Sequence, residues 1–320
     1  MHRLVAAILE FLAGEDLLTL EDVKAALERE IDAAGPEALV ALKARLSSDV
    51  GWTYTPRDPL AQRIHHLLAD RFLRPDSEIL GRRHFAGLEG APVAIVANHL
   101  SYADANLIEV LLQRSGCASL ANRLTAIAGP KVFTSRQRHF SSLCFGTVKV
   151  PQSTGVSSEE AVLSAREVAR ASRQSIDVAR ARLRDGDALL LFAEGTRSRT
   201  GAMQPMLPGV ARYLDVPGTW VLPAGLTGAE TLFPVGDSVL RPARVVVRFG
   251  RPVSGEALLA AAHGDRRVVM DAIGLRIAGL LPQQYRGVYA SADDFAEAKR
   301  LLDRSAKPHP PFKSGRRLQV

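Results

Sequence analysis

Cysteine is nearly absent: Cys117 and Cys144 are the only two in 320 residues. Two thiols build neither a disulfide framework nor a cysteine-rich metal site, and the expectation is a reducing compartment. Long apolar runs are missing as well. Nothing approaches the roughly eighteen residues that a membrane-spanning helix needs. The opening apolar run, Leu4 to Ala13, is interrupted by Glu10, and no small-residue cleavage site follows it. No secretory signal is therefore expected. There is no Walker or dinucleotide glycine motif and no internal repeat. No metal or redox cofactor is called for. The chain is basic, with a net charge of +7, but no recognised nucleic-acid module or aromatic-interleaved basic patch accompanies the charge, so no nucleic-acid partner is expected.

What is present fits a folded domain: 47% hydrophobic and 23% charged residues, with length for one large or two modest domains. The positive charge is concentrated at the C-terminal end, where Arg304, Lys307, Lys313, Arg316 and Arg317 are interleaved with prolines and no acid. Such a tail reads either as a solvated end or as an attraction to an anionic membrane surface. The expected location is cytoplasmic, soluble or peripherally associated with the inner face of the membrane.

Two clusters carry the chemistry. Asn98-His99-Leu100-Ser101-Tyr102-Ala103-Asp104 follows the apolar run Val93–Ala97 directly. Phe192-Ala193-Glu194-Gly195-Thr196-Arg197-Ser198-Arg199 follows the run Ala188–Leu191. Open α/β sheets place their sites at such strand ends. A histidine exchanges protons near neutral pH, and a carboxylate on one ring nitrogen fixes the tautomer and stabilises the imidazolium. Residues five apart on a straight helix point roughly 140° apart. His99 and Asp104 therefore work together only if His99 lies on the strand-to-helix turn and Asp104 in the first helical turn. In the second cluster Gly195 permits a tight turn, and an arginine fork suits a phosphate.

Together these clusters resemble the first and third sequence blocks of the glycerolipid acyltransferase family. The resemblance covers roughly residues 75 to 255. It implies acyl transfer from a thioester, acyl-CoA or acyl-acyl carrier protein, to a hydroxyl of a phosphorylated glycerolipid acceptor, glycerol phosphate or lysophosphatidic acid in type. It makes His99 the base, Asp104 its partner, and Glu194, Gly195, Thr196, Arg197 and Arg199 substrate-binding residues. Val221-Leu222-Pro223-Ala224 resembles the fourth block, near the acyl chain. There are departures. Ala193 replaces the usual proline, and Gln152 stands where many members carry a phosphate-binding arginine. Lys149, in Phe145–Gln152, is the candidate for that missing charge, or else an edge-strand cation. Ser135–Phe140, a basic stretch around His139, reads as an exposed loop or as a rim for CoA phosphates or the acidic face of acyl carrier protein. Three other readings stay open: another lyso-lipid or hydroxylated acceptor, a non-catalytic lipid-binding protein, and a thioester hydrolase.

The expected fold is α/β, a mostly parallel sheet flanked by helices, glycerol-3-phosphate acyltransferase-like, with a small helical N-terminal element. The chain divides into 1–58, helical element and linker; 59–290, the acyltransferase α/β domain; and 291–320, a C-terminal helix and basic tail. Strands are expected at 93–97, 123–128, 145–150, 188–192, 219–226 and 243–249. Helices are expected at Val5–Leu12, Leu20–Ile31, Pro36–Leu46, 60–74, 103–113, 158–184, 207–214, 255–263 and 267–281, with a short element near 130–142. Ser157–Glu160 resembles a capping box. His65 and His66 read as surface or packing histidines.

Overall fold

The computed structural model describes Ile8 and residues 17–151, 164–232 and 241–305. The helix expected at Val5–Leu12, apart from Ile8, the Ser157–Glu160 box, Gln152 and the basic tail beyond Ser305 lie outside the described residues.

A nine-stranded sheet forms the centre, in the order β1-β5-β4-β6-β3-β7-β8-β2, with β9 beside β7. The strands are β1 Tyr54–Thr55, β2 Glu78–Leu80, β3 Val93–Ala97, β4 Leu124–Ala128, β5 Gly146–Lys149, β6 Ala188–Phe192, β7 Trp220–Thr227, β8 Val246–Phe249 and β9 Val253–Ser254. The inner pairs β4–β5, β4–β6, β3–β6 and β3–β7 are parallel, while β8 and β9 run antiparallel to β7 and β1 runs antiparallel to β5. The sheet is mixed and mostly parallel, flanked by helices, with a helical N-terminal element.

The continuous apolar runs follow from this position. Every residue of β3 is buried, as a parallel strand covered on both faces must be. Its alternate side chains feed two cores. Val93, Ile95 and Ala97 pack with Leu27, Ile64 and Ile108, whereas Ala94 and Val96 pack with Leu183 and Ile273. Residues of the helices Leu17–Ser47, Pro59–Phe72 and Asp104–Arg114 thus belong to one core, and residues of Ala165–Arg184 and Arg266–Ala278 to the other.

Local signals set the boundaries. The two N-terminal helices read from the sequence form Leu17–Ser47, broken at Gly35, whose φ of 81° no following helical turn shares. Pro59 starts its helix with Asp58 as cap, the carboxylate accepting the Leu60 and Ala61 amides. Helix Ala165–Arg184 opens on a capping box of Ser164 and Glu167. The segment expected as helix 207–214 is a 3₁₀ helix, Pro208–Asp215. The short strands β1, β2 and β9 carried too few residues to show a period of two.

Candidate active site

The register of β3 and β6 brings the clusters together. Ala97 lies beside Phe192 in the parallel pair, so continuing two residues past each strand sets His99 next to Glu194. Glu194 ties the two turns: one carboxylate oxygen accepts the His99 amide at 2.8 Å and the other the Gln204 amide at 2.8 Å. The Ser198 amide donates to the His99 carbonyl at 2.7 Å. On the other flank, Asn98 clamps β7 through both halves of its amide: Nδ2 donates to the Leu226 carbonyl at 3.0 Å and Oδ1 accepts the Leu226 amide at 2.7 Å.

His99 Nδ1 lies 2.8 Å from Asp104 Oδ2. Asp104 opens the helix Asp104–Arg114 and is fully buried. Its carboxylate reaches back to accept the amides of Leu100, at 2.6 Å, and Ser101, at 3.0 Å. The imidazole stacks on Phe192, with centroids 4.3 Å apart and planes 19° apart. Ring plane and Nδ1 partner are both set, and Nε2 is left for substrate. Among the described residues Nε2 makes no hydrogen bond.

Glu194 carries a perturbed carboxyl. Burial pushes it up to about 7, against the pull of the Gln204 and His99 amides. Gly195 takes the left-handed conformation, φ 73°, and a Cβ there would sit 2.4 Å from the Leu207 side chain. Only glycine makes this turn without displacing Leu207.

His99 faces a cavity of about 440 Å³. Gly195, Thr196 and Arg197 line it, with apolar walls that include Ile127, Phe145, Ile176 and Leu191. A second cavity, of about 880 Å³, runs between the N-terminal helices and the helix Asp104–Arg114, with Leu68, Phe72, Leu107 and Phe140 in its walls. Tyr102, Asn106, Arg138, Ser141 and Arg197 line both. The Arg197 guanidinium lies 4.5 Å from the Tyr102 ring centre.

Not every residue singled out from the sequence reaches this place. Lys149 turns to the β1 edge, where Nζ donates to the Val50 carbonyl at 2.6 Å and lies over the Trp52 and Phe133 rings. It does not line the cavity. Arg199 is exposed and off the cavity wall. Glu194 is buried, with each carboxylate oxygen holding a backbone amide, and it lines neither cavity. Val221–Ala224 are buried in β7 and likewise line neither. His66 is more than a packing histidine: its Nε2 meets Glu109, a fully buried carboxylate, at 2.7 Å. Tyr102 and Asn106 were missed as wall residues, whereas Arg138, in the stretch read as an exposed loop or a rim, lines both cavities. Tyr102 lay inside the first cluster, but a bulky aromatic there carries no sequence signature of its own. No group of three or more His, Cys, Asp or Glu side chains among the described residues could hold a metal. Among these residues no helix is long and apolar enough to cross a membrane.

Residues 81–227 match the model of the Acyltransferase family. A solved structure similar to this chain is the 1-acyl-sn-glycerophosphate (LPA) acyltransferase PlsC from Thermotoga maritima, 17% identical, with 78% of each chain covered and a TM-score of 0.43. That likeness carries no argument about substrate. No curated protein matches the chain. The span that matches the Acyltransferase model holds His99, Asp104 and the Glu194–Arg197 turn.

Proposed function

We propose that this protein moves a fatty acyl group from an acyl thioester, on CoA or acyl carrier protein, to a hydroxyl of a glycerol phosphate or lysophosphatidic acid type acceptor, as in phospholipid biosynthesis. One observation carries the reading: a carboxylate-held histidine and an arginine that has no carboxylate partner among the described residues line the same cavity. His99 Nε2 takes the proton of the acceptor hydroxyl as its oxygen attacks the thioester carbonyl. Asp104 supports the imidazolium that forms. When the C–S bond breaks, the imidazolium returns the proton to the departing thiolate. The apolar walls of the two cavities suit hydrocarbon chains. A thioester hydrolase would attack with water and would have no use for Arg197 beside the base. Acting at the inner face of a membrane, the protein would be released by high salt; retention through a salt wash contradicts this placement.

The acceptor is tested at Arg197. With Arg197→Ala, the Michaelis constant for a phosphorylated acceptor rises about tenfold to a hundredfold, as expected for loss of a charge-assisted contact. A neutral analogue, used poorly from the start, changes little. Arg197→Lys restores part of the loss, because a point charge replaces the fork. Equal weakening of both acceptors would show that Arg197 shapes the turn and does not read the head group.

A further inference from the structure

Tyr102 carries two guanidinium groups. Arg197 Cζ lies 4.5 Å and Arg138 Cζ 5.0 Å from its ring centre. Neither arginine pairs with a carboxylate among the described residues, although arginines elsewhere do: Arg180 pairs with Asp215, and Arg182 with Asp187. Arg138 Nε and Arg197 Nη1 are also buried without an acceptor. Among the described residues the one hydrogen bond of the Arg138 side chain is a long one, Nη2 to Thr134 Oγ1 at 3.4 Å. Two cations held on one aromatic ring, each with an unmet buried N–H, form a place that wants an anion. Unsatisfied buried donors are otherwise rare.

We infer that Arg138 joins Arg197 to form one seat for a phosphomonoester, with the Tyr102 ring as the platform that spaces them. The inference rests on the proposed transfer to a phosphorylated acceptor and names a residue that reads it. A phosphomonoester offers three terminal oxygens and nearly two negative charges. That is enough to meet both forks, which one thioester carbonyl is not. The location agrees. Arg138, Arg197 and Tyr102 line both the cavity that His99 faces and the larger apolar one. A phosphate held there leaves the acceptor's hydroxyl end to reach toward His99 and its hydrocarbon to enter an apolar wall.

Arg138 is also built into position. Its helix, Arg136–Ser142, is tied to the helix that Asp104 opens, because Asn106 Nδ2 donates to the Ser141 carbonyl at 3.1 Å. The charge that Gln152 does not provide, and that Lys149 spends on Val50, then comes from a helix between the sequence blocks.

Phosphate chemistry could also belong to the donor, since CoA carries a phosphomonoester, and the test separates the two. Binding of sn-glycerol 3-phosphate is measured by calorimetry, which needs no turnover, on the full-length protein. The variants are Arg138→Gln, Arg138→Lys, Arg197→Gln, and Arg180→Gln as a distant loss of one positive charge. Arg138→Gln and Arg197→Gln each weaken binding at least tenfold, Arg138→Lys less, and Arg180→Gln less than twofold. In turnover, Arg138→Gln raises the Michaelis constant for the phosphorylated acceptor at least tenfold, with kcat within twofold and the constant for the acyl thioester unchanged. If the proposed transfer is wrong, turnover fails for every form while the calorimetric differences persist. Binding by Arg138→Gln equal to that of the parent overturns the seat. So does a rise confined to acyl-CoA, which assigns the arginines to the donor. Arg138→Lys keeps the result readable should Arg138→Gln unfold.

Discussion

His99 and Arg197 line one cavity, but their surroundings differ in kind. Around His99 nearly every polar atom is engaged: Asp104 accepts two backbone amides as well as the ring, Phe192 stacks on the imidazole, and Glu194 holds the His99 amide. Around Arg197 the opposite holds. Its guanidinium rests on Tyr102, and one buried N–H has no acceptor among the described residues. Under the proposed function the contrast separates two tasks. A base must sit within a few tenths of an ångström of its working position before substrate arrives. A ligand seat must keep its donors unspent, because a salt bridge within the protein would compete with the substrate.

The difference can be broken on the saturated side first. Asp104→Asn should lower kcat by roughly 10³- to 10⁴-fold, since an amide cannot hold the imidazole tautomer and support its charge. It should also cost about 1–3 kcal/mol of stability, because the Leu100 and Ser101 amides lose part of a buried acceptor. Steady-state kinetics with denaturant unfolding reads both effects. A variant that loses stability and keeps its rate would reduce Asp104 to a structural cap.

A smaller effect sharpens the same comparison through Glu194. Its carboxyl ionises near an ordinary 4.5 when unfolded and near 7 when folded, because it is buried. The folded state therefore holds the proton longer. The sign follows: stability is highest below the unfolded value, falls as pH rises from about 4.5 to about 7, and levels above that. The full swing is on the order of 3 kcal/mol. Glu194→Gln cannot titrate, so the stability difference between parent and variant should shrink by that swing across this window. Parallel pH profiles would mean that the two amides keep Glu194 ionised throughout.

Much of this arrangement was legible in the chain. The runs Val93–Ala97 and Ala188–Phe192 are apolar at every position, and buried parallel strands require that. The residues just beyond them were expected at a sheet edge, and the pairing of β3 with β6 sets them side by side. His99 and Asp104 could pair only with His99 on the strand-to-helix turn and Asp104 in the first helical turn, and that is where they lie. Partners that depend on tertiary direction were not legible. Lys149 sits two residues before Pro151 in a cavity-lining stretch, yet its side chain turns toward Val50. Glu194 looks like a ligand residue by type, but its burial and the two amides it accepts make it a brace between turns. Arg138 lay in a basic stretch that read as an exposed loop or as a rim for phosphates. Only the fold set it against Tyr102.

The central claim, acyl transfer onto a phosphorylated acceptor with His99 as base, is tested most directly by product analysis. The parent protein and a folded His99→Ala variant are incubated with an acyl thioester and lysophosphatidic acid or glycerol 3-phosphate, and the lipids are resolved by mass spectrometry. The account predicts an acylated phospholipid product from the parent, dependent on the acceptor, and none above background from His99→Ala. Free fatty acid formed at the same rate with and without acceptor, or full transfer by folded His99→Ala, would contradict it.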